Sequence, residues 1–153
     1  MSKDKIIQRF RHTGIVVNDM KKALWFYHDI LNFEIVMERY ESSDYFKKVN
    51  GINNEAMTVK VAVGDGTVIE LIQYKNSGDW ITPGHTTIGK MHQCYLVSDA
   101  RNLYDELKQK GMKFISEPVQ SDIDPAIVCS CYDPKGNYIE FVEIIGDMPE
   151  GLQ

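Results

Sequence analysis

The chain has 153 residues, of which 43% are hydrophobic and 25% charged, with a formal net charge of −5. That length suits one domain with a real core, and the composition is that of an ordinary globular protein. The acidic balance argues against a nucleic-acid surface, which shows a basic stripe, and no apolar run approaches the length of a membrane span. The start, MSKDKIIQRF, lacks the apolar core of a signal peptide, so a cytoplasmic protein is expected, with neither nucleic acid nor membrane as partner. Net acidity leaves an anionic substrate open, because the local charge in a cleft outweighs the sum.

Taken in chain order, a short strand is expected over about 12–17, running to Asp19, a residue type that caps helix N-termini. Met20, Leu24, Tyr27 and Leu31 then recur at helical spacing, and Asn32, which tolerates the left-handed conformation, stops the helix. Strand-like runs follow at 33–38, 57–63 and 67–74, with Asp65-Gly66 turning the last pair. Residues 41–56 are polar and turn-rich around one aromatic pair, and read either as a flap or short helix over a cleft or as plain surface loop. Residues 75–90 have linker composition.

The same grammar then returns. A strand over 91–97 runs to Asp99, and a helix carries Ala100, Leu103 and Leu107 with Tyr104 on its apolar stripe and stops at Gly111. Strands are expected at 112–116, 126–132 and 137–144, with Asp133-Pro134-Lys135-Gly136 as the final turn. Each half reads β-α-β-β-β. Module one covers about 10–74 and module two about 91–145, within a single domain spanning 1–153.

The halves are also duplicates residue by residue. RHTGIVVND at 11–19 answers MHQCYLVSD at 91–99, so that His12 pairs with His92 and Asp19 with Asp99. GTVIELI at 66–72 answers GNYIEFV at 136–142, pairing Gly66 with Gly136 and Glu70 with Glu140. If a pseudo-twofold relates the halves, equivalent positions approach each other across a shared concavity. Two imidazoles and two carboxylates then suit one borderline divalent ion, and zinc, nickel, cobalt, manganese and iron(II) are all chemically plausible. Both glutamates lie among apolar strand neighbours, where a carboxylate needs a partner. His12, Glu70, His92 and Glu140 are therefore the candidate metal ligands. His28, beside Asp29 in the first helix, and His85, in the linker, have no duplicated counterpart and are expected not to be ligands. Cys94, Cys129 and Cys131 lack zinc-type spacing and are expected to be buried, reduced thiols.

HTGIVVNDMKKALWFYHDIL, VIELIQY, MHQCYLVSDARNLYDELKQKG and DPKGNYIEF together resemble the vicinal oxygen chelate superfamily, over about residues 10–145. The superfamily includes glyoxalase I, methylmalonyl-CoA epimerase, extradiol dioxygenases and the fosfomycin- and bleomycin-resistance proteins. The resemblance implies an α+β fold, two βαβββ modules forming a curved eight-stranded mixed sheet around a metal site, with one divalent ion per chain on His12, Glu70, His92 and Glu140. Two histidines with two glutamates look more like glyoxalase I than the three-ligand members. Where bacterial glyoxalases often carry a glutathione-holding arginine, this chain has Val16, and Glu55 lies near the epimerases' second catalytic glutamate but reads as a solvated loop carboxylate. The implied function is a metal-dependent isomerase or lyase of glyoxalase or epimerase type acting on a small carbonyl or thioester substrate. Glu140 is the first choice of base for proton transfer through an enolate, with Glu70 opposite it. A homodimer is expected. The alternatives are a ring-cleaving dioxygenase and a ligand-binding resistance or regulatory module.

Overall fold

A computed structural model describes residues 9–78, 88–89 and 91–148. The chain divides into two units, residues 1–79 and 80–153, each with one four-stranded mixed sheet. In the first, strand β1 (His12–Val16) leads into helix α1 (Met20–Leu24), which opens into a π-helical turn over Trp25–Ile30. Strand β2 (Glu34–Glu41), helix α2 (Asp44–Asn50) and strands β3 (Ala56–Ala62) and β4 (Val68–Tyr74) follow. In the second, β5 (Gln93–Leu96), α3 (Ala100–Gln109), β6 (Phe114–Gln120), β7 (Ala126–Tyr132) and β8 (Tyr138–Ile144) repeat the plan. The sheet orders are β1-β4-β3-β2 and β5-β8-β7-β6, with the first and last strand of each module parallel and the other pairs antiparallel. The α+β class and the paired βαβββ modules are thus present, the eight strands forming two four-stranded sheets. Among the described residues no helix is long and apolar enough to cross a membrane.

The helix boundaries follow from local chemistry. Asp19 Oδ1 accepts from Lys22 N at 3.1 Å and Asp99 Oδ1 from Asn102 N at 2.8 Å, each satisfying a donor that the first helical turn leaves open. The duplication reaches further than its motifs. Gln73 Oε1 on β4 accepts from Met20 N at 2.7 Å, and Glu143 Oε2 on β8 accepts from Ala100 N at 2.9 Å, so the last strand of each module holds the N-terminus of that module's long helix. At the far ends Asn32 (φ 58°) and Gly111 (φ 89°) take the expected left-handed conformation.

The cores are built by alternation. Ile69 and Leu71 of β4 lie opposite Val61 and Val59 of β3, and all four are buried. Ile139 and Phe141 of β8 lie opposite Cys131 and Cys129 of β7, again all buried. The first helix differs from its expected stripe: Ala23, Phe26, Tyr27 and Ile30 are buried, whereas Met20, Leu24 and Leu31 are only part-buried. The buried four keep i, i+3, i+4, i+7 spacing, and the π-turn closes with Leu31 N donating to Phe26 O. Strand β6 runs past its expected end at 116 because Pro118 is accommodated on the sheet edge, where the register shifts between Ser116 and Val119 and the missing N–H is tolerated. Within 41–56 the short helix forms, capped by Ser43 Oγ and closed by Gly51 at φ 65°, and it buries no residue.

Cys94 is exposed, contrary to expectation, because β5 is an edge strand and the thiol faces away from the α3 side. Cys129 and Cys131 are buried as expected. At pH 8 the native protein should therefore take up one alkyl group per chain, on Cys94, and three once denatured, as counted by mass spectrometry.

Burial pushes the Cys129 thiol up to about 11 and, with Cys129 and Asp133 adding to burial, the Cys131 thiol up to about 12, from an ordinary 9.0. Both thiols stay neutral in the fold after an unfolded thiol has ionised. Their contribution is thus complete below about pH 9 and is lost as pH rises through 11 to 12. Cys131→Ala should flatten the alkaline fall in urea midpoint; an unchanged slope would contradict this.

The final turns differ in weight. Buried Asp133 accepts from Lys135 N, Asn137 N and Asn137 Nδ2 at 2.8 to 2.9 Å, whereas the aspartate of the first unit's turn, Asp65, stands two residues after the position duplicated from Asp133 (Val63), is exposed and accepts from exposed Thr67. Asp133→Ala should cost about 2–3 kcal/mol of stability in urea unfolding, since three donors lose their acceptor. Asp65→Ala should cost less, and equal losses would refute the distinction.

Candidate metal-binding pairs

Parallel pairing of β1 with β4 sets Gly14 opposite Glu70 and His12 opposite Val68. His12, Gly14, Val68 and Glu70 thus share the sheet face that the helix does not cover. Across that face His12 Nε2 comes within 3.1 Å of Glu70 Oε2, with 28% and 17% of the two side chains exposed. The second unit repeats the arrangement. β5 starts one residue after His92, β8 presents Glu140 opposite Cys94, and His92 Nε2 lies 3.4 Å from Glu140 Oε2. The structure therefore brings the predicted ligands together as two His–Glu pairs, one in each unit. Among the described residues no group of three or more His, Cys, Asp or Glu side chains stands close enough to hold an ion.

The two carboxylates have different company. Lys60, directly across from Glu70 on β3, puts its Nζ 3.4 Å from Glu70 Oε1 with 19% of its side chain exposed. At the duplicated position across from Glu140 stands Ser130. Glu140 instead accepts from the Tyr138 hydroxyl at 3.3 Å, and the His92 ring packs edge-on against Tyr138 with centroids 5.6 Å apart. The Cys94 thiol also bonds to Glu140; desolvation first, then this carboxylate, raise it above its ordinary value. Burial is the largest cause holding Tyr138 up as well. Glu70 thus faces a cation and Glu140 faces neutral donors.

Lys60 and Tyr138 are not among the candidates expected from the sequence, and Cys94 is expected there only as a buried thiol. The signal for Lys60 was present: it alternates onto the Glu70 face of β3, and its duplicated partner is an uncharged serine.

The remaining candidates lie elsewhere. His28, expected not to be a ligand, is exposed, with Nδ1 2.8 Å from the Phe33 carbonyl and Nε2 4.0 Å from Asp29. His85 lies outside the described residues. Glu55 is not a free loop carboxylate: the Tyr40 hydroxyl and the Lys75 ammonium bond to it and hold its carboxyl below the ordinary value, Tyr40 being the larger cause. Val16, where an arginine would resemble the glutathione-using members, is an exposed residue on the Glu70 face of β1.

The fold has parallels among solved structures. A glyoxalase family protein from Bacillus cereus superposes with a TM-score of 0.82 at 20% identity, covering 95% of this chain and 99% of that one. A fosfomycin resistance protein from Listeria monocytogenes does so with a TM-score of 0.63 at 16% identity, covering 94% and 97%. By sequence, a Synechocystis protein named "Probable lactoylglutathione lyase" is 27% identical over 141 residues, 86% of this chain and 92% of that protein. The model of the Glyoxalase/Bleomycin resistance protein/Dioxygenase superfamily matches residues 9–141. With that span covering both modules and both His–Glu pairs, the chain belongs to the glyoxalase/bleomycin resistance/dioxygenase superfamily.

Proposed function

We propose that the chain is a metal-dependent isomerase or lyase of glyoxalase or epimerase type, in which His12, Glu70, His92 and Glu140 together hold one divalent ion. The observation that carries this reading is the repeated His–Glu pair, the same two residue types on the same two strands of each module at 3.1 and 3.4 Å. The donors fit the group. Imidazole nitrogen and carboxylate oxygen suit zinc, nickel, cobalt, manganese or iron(II), and each pair already aims a nitrogen and an oxygen at one another across neighbouring strands. The superfamily's enzymes and the similarity to a named lyase support the class of reaction. Three free cysteines suit a cytoplasmic setting.

When bound, such an ion supplies Lewis-acid stabilisation of negative charge on a carbonyl oxygen. The protein's own part is proton transfer at the neighbouring carbon. Glu140, with neutral donors around it, is the base, taking the proton and returning it either to the adjacent carbon or to the opposite face of the same carbon. Glu70, which has the Lys60 ammonium on its other oxygen, is the carboxylate opposite it. Because each unit supplies only two of the four ligands, the reading treats residues 1–153 as one functional domain.

Purified protein should retain about one divalent ion per chain after dialysis, measured by elemental analysis. His92→Ala should lose most of it, while His28→Ala, at the exposed Phe33 contact, should not. In deuterated water an α-oxo thiohemiacetal or a methylmalonyl-type thioester should exchange its α-hydrogen, and Glu140→Gln should slow this by about 10²–10⁴-fold. Equal metal content in all variants would overturn the ligand set. Oxygen-dependent cleavage of a catechol without hydrogen exchange would replace proton transfer by ring cleavage.

A further inference from the structure

Beside His12, within the first unit, lies a cleft of about 470 Å³ lined by Arg9, Phe10, Arg11, His12, Lys60 and Asp65 together with residues 66–68. Three permanent cations face one carboxylate there, in a chain whose net charge is −5. The carboxylate is already engaged, since Asp65 accepts from Thr67 N at 2.8 Å and from Thr67 Oγ1 at 3.1 Å. Among the described residues Arg9 and Arg11 have no ion pair, and the Lys60 ammonium carries three donors, so its contact with Glu70 leaves others to offer. The concentration of charge is particular to this half. The positions duplicated from Arg9, Arg11 and Lys60 are Gly89, Met91 and Ser130.

We infer that this cleft is an anion-binding subsite, and that the protein acts on small carbonyl compounds bearing a carboxylate or a phosphate. Guanidinium forks match the paired oxygens of either group, and the lysine adds a compact charge at the inner end. Phe10, 77% exposed, offers a flat apolar wall for the carbon chain between the anionic end and the carbonyl. Lys60 links the regions, because its Nζ reaches Glu70 while its side chain lines the cleft. The anionic end therefore fixes which way round a substrate lies, with its carbonyl toward His12 and Glu70. A volume of this size suits a metabolite, not a macromolecule. The inference rests on the proposed metal-site function for its orientation, but the anion site itself involves only residues of the first unit.

The test uses the metal-free full chain, titrated with inorganic phosphate and separately with acetate at constant ionic strength, and followed by NMR shifts. Saturable binding is expected, weakened about tenfold in Arg11→Ser and in Lys60→Met and unchanged in Arg101→Ser, which removes an exposed arginine of α3. The tighter of the two anions identifies the group the cleft selects. Equal affinity in wild type, Arg11→Ser and Lys60→Met, or no saturable shift with either anion, would overturn the subsite. His92→Ala separates the two ideas: it should lose the metal yet bind phosphate as wild type does. Wild-type protein that binds phosphate in this pattern but holds no metal would refute the metal reading and leave the subsite standing.

Discussion

Everything at the candidate site depends on parallel pairing between the first and last strand of each module. A parallel pair cannot be closed by a tight turn, so the helix and two further strands must be made between β1 and β4, and again between β5 and β8. That detour brings residues as distant as His12 and Glu70 onto adjacent strands. The register then decides the chemistry. With Gly14 opposite Glu70 and Cys94 opposite Glu140, each glutamate shares the helix-free face with the histidine near the start of the first strand. A slip of one residue would turn each glutamate into the core, where an unpaired carboxylate is costly, and would turn Ile69 and Leu71, or Ile139 and Phe141, out of it.

Much of this was legible because it is written twice. A lone glutamate in a strand says little, but matched VIEL and YIEF runs, each following a histidine-bearing strand and an aspartate-capped helix, fix face and order together. The caps at Asp19 and Asp99 and the left-handed stops at Asn32 and Gly111 were readable for a simpler reason: each is settled by one residue's own backbone and side-chain preferences.

What escaped reading was decided by tertiary context. Of the expected stripe through Met20, Leu24, Tyr27 and Leu31, Tyr27 is buried, while Ala23, Phe26 and Ile30 take the core in place of the other three, which are only part-buried. Ala23, Phe26, Tyr27 and Ile30 stand at helical spacing themselves, so periodicity offers two neighbouring faces and packing against the sheet chooses between them. The strand expected over 112–116 runs on to Gln120, and the sheet order shows β6 to be an edge, where Pro118 is harmless. Cys94 looked like its two buried relatives because its neighbours are apolar, yet it stands on the other edge. Lys60 drew no notice in the sequence, since its partner Glu70 is supplied by the cross-strand register.

The difference between Lys60 and Ser130 bears on what duplication does to a protein. Two copies of a module begin with the same electrostatics, and any asymmetry must come from later divergence at corresponding positions. Here three corresponding positions differ around the glutamate: Lys60 against Ser130, Val68 against Tyr138 and Gly14 against Cys94. The glutamate of one copy has its charge balanced from within the sheet, while that of the other is met by a hydroxyl, a thiol and an imidazole. Two side chains at duplicated positions are thereby made chemically distinguishable within the same cross-strand register. A repeated fold can thus specialise its halves while the hydrogen-bond ladders that hold both sheets together stay the same.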